Sequence, residues 1–265
     1  MKGIILALFV ISGLYACHPG KQISNSKVSN KEIWVFLMAG QSNMAGRGLL
    51  ETHDTITNDR ILTIDKNFQI IKAREPIHFY EPNLKGLDCG LSFAQNLLKG
   101  IDNSITILII PTAVGGSSSR QWLGDSVHRG VKLMTNFREK MEFAKKQGIV
   151  KGILWHQGES DANAKAIPLY NDNLKKIFSI FRQYANNDTL PILIGELGNY
   201  SKSPSEWNAI NEIIRQYVKS DPNCYLINTG DLKHKGDFIH FNSDGQRLLG
   251  QRFAETYLKS MSKAK

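Results

Sequence analysis

Strand-like and helix-like stretches alternate along this chain, and that alternation limits the fold more than any other feature. Five short apolar runs read as strands: 33–37, 105–110, 152–155, 190–194 and 224–227. Amphipathic helical spacing fills most of the intervals, over 91–98, 131–146, 166–184 and 205–219, and again over 243–258. Runs this apolar are buried on both faces, which is how strands of a parallel sheet read. The alternation therefore predicts an α/β, three-layer sandwich with a roughly five-stranded parallel sheet and right-handed crossovers. Residues 61–64 and 68–71 read as a hairpin inserted into that pattern, and 76–88 as irregular chain broken by Pro76, Pro82 and Gly86.

In such a sheet every strand delivers its following loop to the same rim, where open α/β folds place their chemistry. Ser42 comes two residues after Gly40, where the first run ends. By itself this serine fits a helix cap as well as a nucleophile. Three other loops reach the same rim: Gly115-Gly116, Gln157 and Glu196. Near the far end of the chain, Asp237 stands three residues before His240. That spacing lets the carboxylate fix the imidazole tautomer and support the charged ring, leaving the other nitrogen to take a serine proton. A surface Asp and His would show the same spacing. Acyl transfer also needs donors for the carbonyl oxygen. Glycine N–H groups at Gly115-Gly116 and the amide of Gln157 suit that task, although a flexible turn and a buried structural amide fit them too.

Composition adds limits at the ends. A chain of 265 residues fits one α/β domain. The formal charge is +9, but Lys2, Lys21 and Lys27 at the start and Lys259, Lys263 and Lys265 at the end carry six of those charges. About +3 remains for the body. No basic stripe interleaved with aromatics appears, which argues against nucleic-acid binding. Residues 1–17 read as a lipoprotein-type signal ending in Leu14-Tyr15-Ala16-Cys17, with Cys17 as the lipidated residue. A plain secretory signal cleaved after Ala16 is the alternative. Residues 18–30 then form a polar tether and 31–262 the folded domain. The chain is expected to be exported, in the periplasm or as an outer-membrane lipoprotein of a bacterium, touching membrane only through that anchor. Cys89 and Cys224 allow a pairing, although Cys224 in its apolar run also reads as a small buried hydrophobe. No spacing suggests a structural metal site.

The blocks Gly40-Gln41-Ser42-Asn43-Met44, Gly115-Gly116-Ser117 with Trp122 behind it, Trp155-His156-Gln157-Gly158-Glu159-Ser160-Asp161 and Asp237-x-x-His240 occur in this order. Together they resemble the SGNH hydrolase superfamily. The nearest branch is the carbohydrate acetylesterases, which include acetylxylan esterases and sialate O-acetylesterases. The resemblance spans roughly residues 32–257 and implies a flavodoxin-like sandwich that acts as a serine esterase without cofactor or metal. It implies Ser42 as nucleophile, His240 as general base and Asp237 as its partner. Ser42, Gly116 and Gln157 would form the oxyanion hole, with Gly115 shaping the turn. Glu159 is a recurrent acid of the branch, expected to hold Gln157 or the serine loop or to assist the histidine. The implied substrate is an O-acetylated carbohydrate, either acetylxylan or a related glycan, or alternatively an O-acetyl sialate. A non-catalytic carbohydrate-binding lipoprotein is the competing class. Arg120, Trp122 and Tyr200 lie in stretches read as loops near the rim, where they are candidates to stack on or bind the sugar, with loop packing the alternative and slightly favoured reading. Ser42 lacks the Gly-x-Ser-x-Gly elbow, since Met44 stands where the second glycine would be, which argues against the α/β-hydrolase fold.

Overall fold

The first strand, β1 (Ile33–Gly40), is buried along nearly its whole length, and its side chains alternate between two cores. Val35, Leu37 and Ala39 enter one, while Trp34, Phe36 and Met38 enter the other. This is what period-two alternation demands of a strand covered on both faces. The computed structural model describes residues 32–263. The expected leader, the Cys17 lipidation site and the 18–30 tether fall outside the described residues.

Around β1 the chain lays down α1 (Ser42–Ala45), β2 (Ile61–Ile64), β3 (Ile70–Lys72), α2 (Gly90–Leu97), β4 (Thr106–Pro111) and α3 (Ser119–Leu123). A small hairpin, β5 (Val127–His128) and β6 (Val131–Lys132), precedes α4 (Leu133–Gln147). Then follow β7 (Ile149–His156), α5 (Ile167–Ala185), β8 (Ile192–Gly195), α6 (Pro204–Ser220), β9 (Cys224–Ile227) and α7 (Ser243–Lys263).

The main sheet has the order β3-β2-β4-β1-β7-β8-β9, and only β3 runs antiparallel to its neighbour. The five strands expected from the sequence are contiguous in it, in the order second-first-third-fourth-fifth, the flavodoxin-like arrangement, and run to the edge at β9. The expected five-strand count needs correction. The 61–71 hairpin is not a bystander, because β2 pairs in parallel with β4 and widens the sheet to seven strands among the described residues. Ile61 and Ile64 are buried, and the Thr63 hydroxyl donates to the Ile109 carbonyl at 2.8 Å.

One helical layer brings Phe137, Phe178, Phe181 and Trp207 against the sheet, from α4, α5 and α6. The opposite layer brings Phe93 from α2 with Phe253 and Tyr257 from α7. Cys89 and Cys224 lie in these separate cores and are both free and buried, so they do not pair. β1 sits between β4, whose connection leads one way, and β7, whose connection leads the other. The strand order therefore reverses beside β1, and its carboxyl end opens into the crevice that this topology creates.

Candidate active site

Ser42 opens α1, a single four-residue turn laid directly across the end of β1. Gly40 makes that placement possible: its φ is +131°, and a Cβ there would overlap the backbone carbonyl of His156 on the adjacent β7. Only glycine combines that dihedral with that approach.

At the other end of the chain, the loop after β9 brings His240 to the serine. His240 Nε2 lies 2.9 Å from Ser42 Oγ, and His240 Nδ1 lies 2.7 Å from Asp237 Oδ2. The second carboxylate oxygen accepts the backbone N–H groups of Ile239 and His240 at 3.0 and 2.8 Å. Partial burial raises the Asp237 pKa, but the hydrogen bonds from the His240 backbone, its ring and the Ile239 N–H outweigh it and hold the carboxyl at about 2. A carboxylate on Nδ1 favours the tautomer with its proton there, so the Nε2 lone pair faces the serine hydroxyl. Hydroxyl, imidazole and carboxylate thus form the continuous line that base-assisted nucleophilic attack requires.

Asn43 ties these distant pieces together. Its amide nitrogen donates to Glu159 Oε1 at 2.6 Å and to the Ile239 carbonyl at 3.1 Å, and its oxygen accepts the Phe241 N–H at 3.0 Å. Glu159 therefore holds the serine turn, one of the roles expected for it. It also lies 3.7 Å from Nδ1 of the buried His156, whose pKa burial pushes down. Asn43 stands in the serine block, where the sequence alone assigns it no role.

A pocket of about 650 Å³ opens over Ser42, with Gly116, Glu159, Arg129 and Trp207 in its walls. As the first residue of α1, Ser42 has no intrahelical acceptor for its N–H. Gly116, at φ +76°, lines the same pocket, and its N–H has no protein acceptor among the described residues. Gly115 precedes it, and its own N–H is taken by Glu81 Oε2 at 2.7 Å.

Gln157 does not join them. It is fully buried, and its amide nitrogen donates to Gln41 Oε1 and the Ser117 carbonyl, each at 3.2 Å, and to the Asp161 carboxylate. An amide with two hydrogens and three acceptors has none left for the pocket. Its place is that of a brace between loops. Glu196 is likewise outside the pocket, paired with Arg215.

None of the three candidate sugar contacts lines this pocket. Trp122 is fully buried against Phe137, Trp155 and Phe181, with its indole N–H on Ser117 Oγ at 3.0 Å. A capping box between Ser118 and Gln121 starts α3 and turns Trp122 inward. Arg120, on the same short helix, borders a separate shallow groove with Ser118 and Gln121. Tyr200 lies behind the histidine loop, packed on Phe241, Trp207 and His234. The pocket walls instead include Arg47, Arg129, Lys202, Lys235, Trp207 and Phe238. Glu81 joins the two arginines, since Arg47 Nη2 meets Oε2 at 2.7 Å and Arg129 bonds Oε1. Arg47 lies three residues beyond the serine block and Glu81 in the irregular 76–88 stretch, so neither falls in a readable pattern.

Comparison with known proteins fits this geometry. Residues 32–259 match the family described as carbohydrate esterase, sialic acid-specific acetylesterase. The chain belongs to this carbohydrate esterase family. Its members are carboxylic ester hydrolases, and the sandwich described above is their SGNH-type fold. A probable carbohydrate esterase of Arabidopsis thaliana is 27% identical over 248 residues, covering 85% of this chain and 90% of the relative. The X-ray structure of that plant protein superposes with a TM-score of 0.74 at 25% identity, covering 85% of this chain and 98% of the other. In fold alone, the chain is similar to NanS, with a TM-score of 0.71, 18% identity and coverage of 88% and 98%. It is similar in the same sense to XAC1771, a carbohydrate acetylesterase from Xanthomonas citri, with a TM-score of 0.62, 20% identity and coverage of 83% and 55%.

Proposed function

We propose that this esterase removes O-acetyl groups from carbohydrate by way of an acetyl-enzyme on Ser42. The observation that carries the reading is the unbroken line from Ser42 Oγ through the His240 ring to Asp237. In the first step Ser42 Oγ bonds to the ester carbonyl carbon while its proton passes to His240 Nε2. The carbonyl oxygen becomes an oxyanion facing the N–H groups of Ser42 and Gly116. Collapse breaks the bond to the sugar oxygen, which leaves with the proton held by His240. Water then attacks the acetyl carbon, again losing its proton to His240, and acetic acid departs as Ser42 Oγ recovers the proton. Asp237 stays ionised and balances the imidazolium in both steps. Donors already fixed around an oxyanion are worth about 2.7–4 kcal/mol each.

Acetylated xylan or a related neutral glycan is the first substrate class to try. One observation favours an acidic sugar such as an O-acetyl sialate: Arg129, Lys202 and Lys235 reach the pocket from three separate segments. Acetate release from acetylated xylan, an O-acetyl sialate and an aryl acetate, with Ser42→Ala alongside, tests the proposal. Wild-type release that the variant abolishes is the expected result. Equal inertness of both proteins on every ester would overturn it, and sugar affinity without turnover would put a binding module in its place. We also propose export with a lipid on Cys17; mass spectrometry of the amino-terminal peptide from a membrane fraction would detect that lipid or show its absence.

A further inference from the structure

The site so far uses the Gly116 N–H but not the elements that aim it. Gly116 follows another glycine and has a φ of +76°, a backbone with wide freedom unless something outside holds it. The peptide linking Gly115 to Gly116 is planar, so its carbonyl and its N–H point in opposite directions. Whatever fixes the Gly115 carbonyl also fixes the direction of the Gly116 N–H.

That carbonyl lies 2.8 Å from His128 Nε2. The ring's other nitrogen, Nδ1, is 3.1 Å from the Gln121 amide nitrogen. Gln121 Oε1 accepts the Ser118 N–H at 2.9 Å, which sets the amide with its nitrogen toward the ring. A neutral His128 with its proton on Nε2 satisfies every partner. The next residue, Arg129, reaches back to Glu81, the carboxylate that also takes the Gly115 N–H and Arg47. His128 and Arg129 stand at the tip of the hairpin formed by β5 and β6. Its two-residue turn, Arg129-Gly130, has φ values of +49° and +78°, the rigid primed type. Asp125, at the base, anchors the hairpin to α4 by accepting the Thr135 N–H and hydroxyl at 2.8 and 2.6 Å.

We propose that this hairpin is a clamp on the oxyanion peptide, in which His128 is a positioning residue that aims the Gly116 N–H at the reacting carbonyl. The proposal rests on the serine esterase reading above. The hydrogen bond to the Gly115 carbonyl also polarises the same peptide and strengthens its N–H as a donor. His128 does not touch the substrate; it acts through Gly116, and Glu81 with Arg129 holds the flanking Gly115 peptide.

Steady-state kinetics on a small neutral aryl acetate test this, since such a substrate has no charge for the basic side chains to bind. His128→Ala is expected to lower kcat about 10- to 100-fold, within the range for a weakened oxyanion donor, with KM within about two-fold of wild type. Affinity for a boronic acid that forms a tetrahedral adduct on Ser42 should fall with kcat. His128→Gln keeps an N–H donor and should recover most of the loss. An unchanged kcat in a folded His128→Ala, or a change confined to KM, would overturn the clamp. Arg129→Ala, a change at a surface residue, gives a second reading if His128→Ala does not fold. It should lower kcat in the same direction, and an unchanged kcat would again overturn the clamp. A wild-type enzyme inert on every acetyl ester would instead sink the esterase reading beneath it.

Discussion

Asp237 and Asn43 divide the work of holding the serine and histidine in line. Asp237 is engaged on the ring by one oxygen and on two backbone N–H groups by the other. Its folded pKa, about 2, lies below the ordinary value of about 3.9. The sign follows from linkage. The ionised form favours the fold, so its contribution is present above about pH 4 and fades as pH falls toward 2. Thermal melts of wild type against Asp237→Asn from pH 2 to 7 should show a gap that closes at the acid end. A gap independent of pH would contradict the assignment. The same variant should cut kcat by orders of magnitude, because the histidine loses the partner that fixes its tautomer. Asn43→Ala should lower kcat in steady-state assays on an aryl acetate, since Asn43 bonds Glu159, Ile239 and Phe241 and so holds the histidine loop to the serine turn. Ser42, His240 and Asp237 were legible in the sequence because each carries reactive atoms in a recognisable block. Asn43 was harder to read, because its role depends on which distant backbone groups arrive beside it.

Among elements, β1 and α3 show where pattern reading succeeds and where it fails. β1 was readable as a run of apolar residues ending in glycine, and Gly40 fixes the junction to α1. Gly40→Ala should misplace Ser42 or block folding, seen as lost esterase activity with a lowered melting temperature. α3 has only five residues, too few for helical periodicity to register, so its surroundings read as a loop that left Trp122 open to either sugar contact or packing. The capping box at Ser118 and Gln121 was the available signal for the helix that buries it. Trp122→Ala is expected to cost about 3–5 kcal/mol of stability, a core-cavity effect measurable by denaturant unfolding. A stable variant with only weakened sugar binding would restore the rim assignment. Similarly, β2 and β3 were legible as a hairpin, but their edge position was not, since pairing with β4 depends on topology rather than on local sequence.

At the scale of the whole molecule, the order of the strands assembles the site. Serine and histidine are 198 positions apart, yet β1 and the loop after β9 deliver them to one rim. Alternation and the switch-point rule predicted the rim position of the serine loop, whereas the arrival of His240 beside it was implied by the family resemblance. The pocket walls were not, because Arg47, Arg129, Lys202 and Lys235 come from four segments with no shared motif. Glu81, Glu159 and Asp237 offset three of these four charges, and the net charge of about +1 predicts that acetate release from an anionic sugar slows modestly as salt rises, while release from a neutral aryl acetate does not. Initial rates across a salt series on both substrates would check this, and parallel behaviour would argue against an electrostatic role for the rim.

Trapping the covalent intermediate puts the catalytic assignment to its most direct trial. The enzyme is mixed with excess aryl acetate, quenched in acid during turnover, and digested for peptide mass spectrometry. One acetyl group on Ser42, absent from Ser42→Ala and released on longer incubation, is the predicted result. Steady acetate production with Ser42 unmodified at every time point, or undiminished in Ser42→Ala, would contradict it.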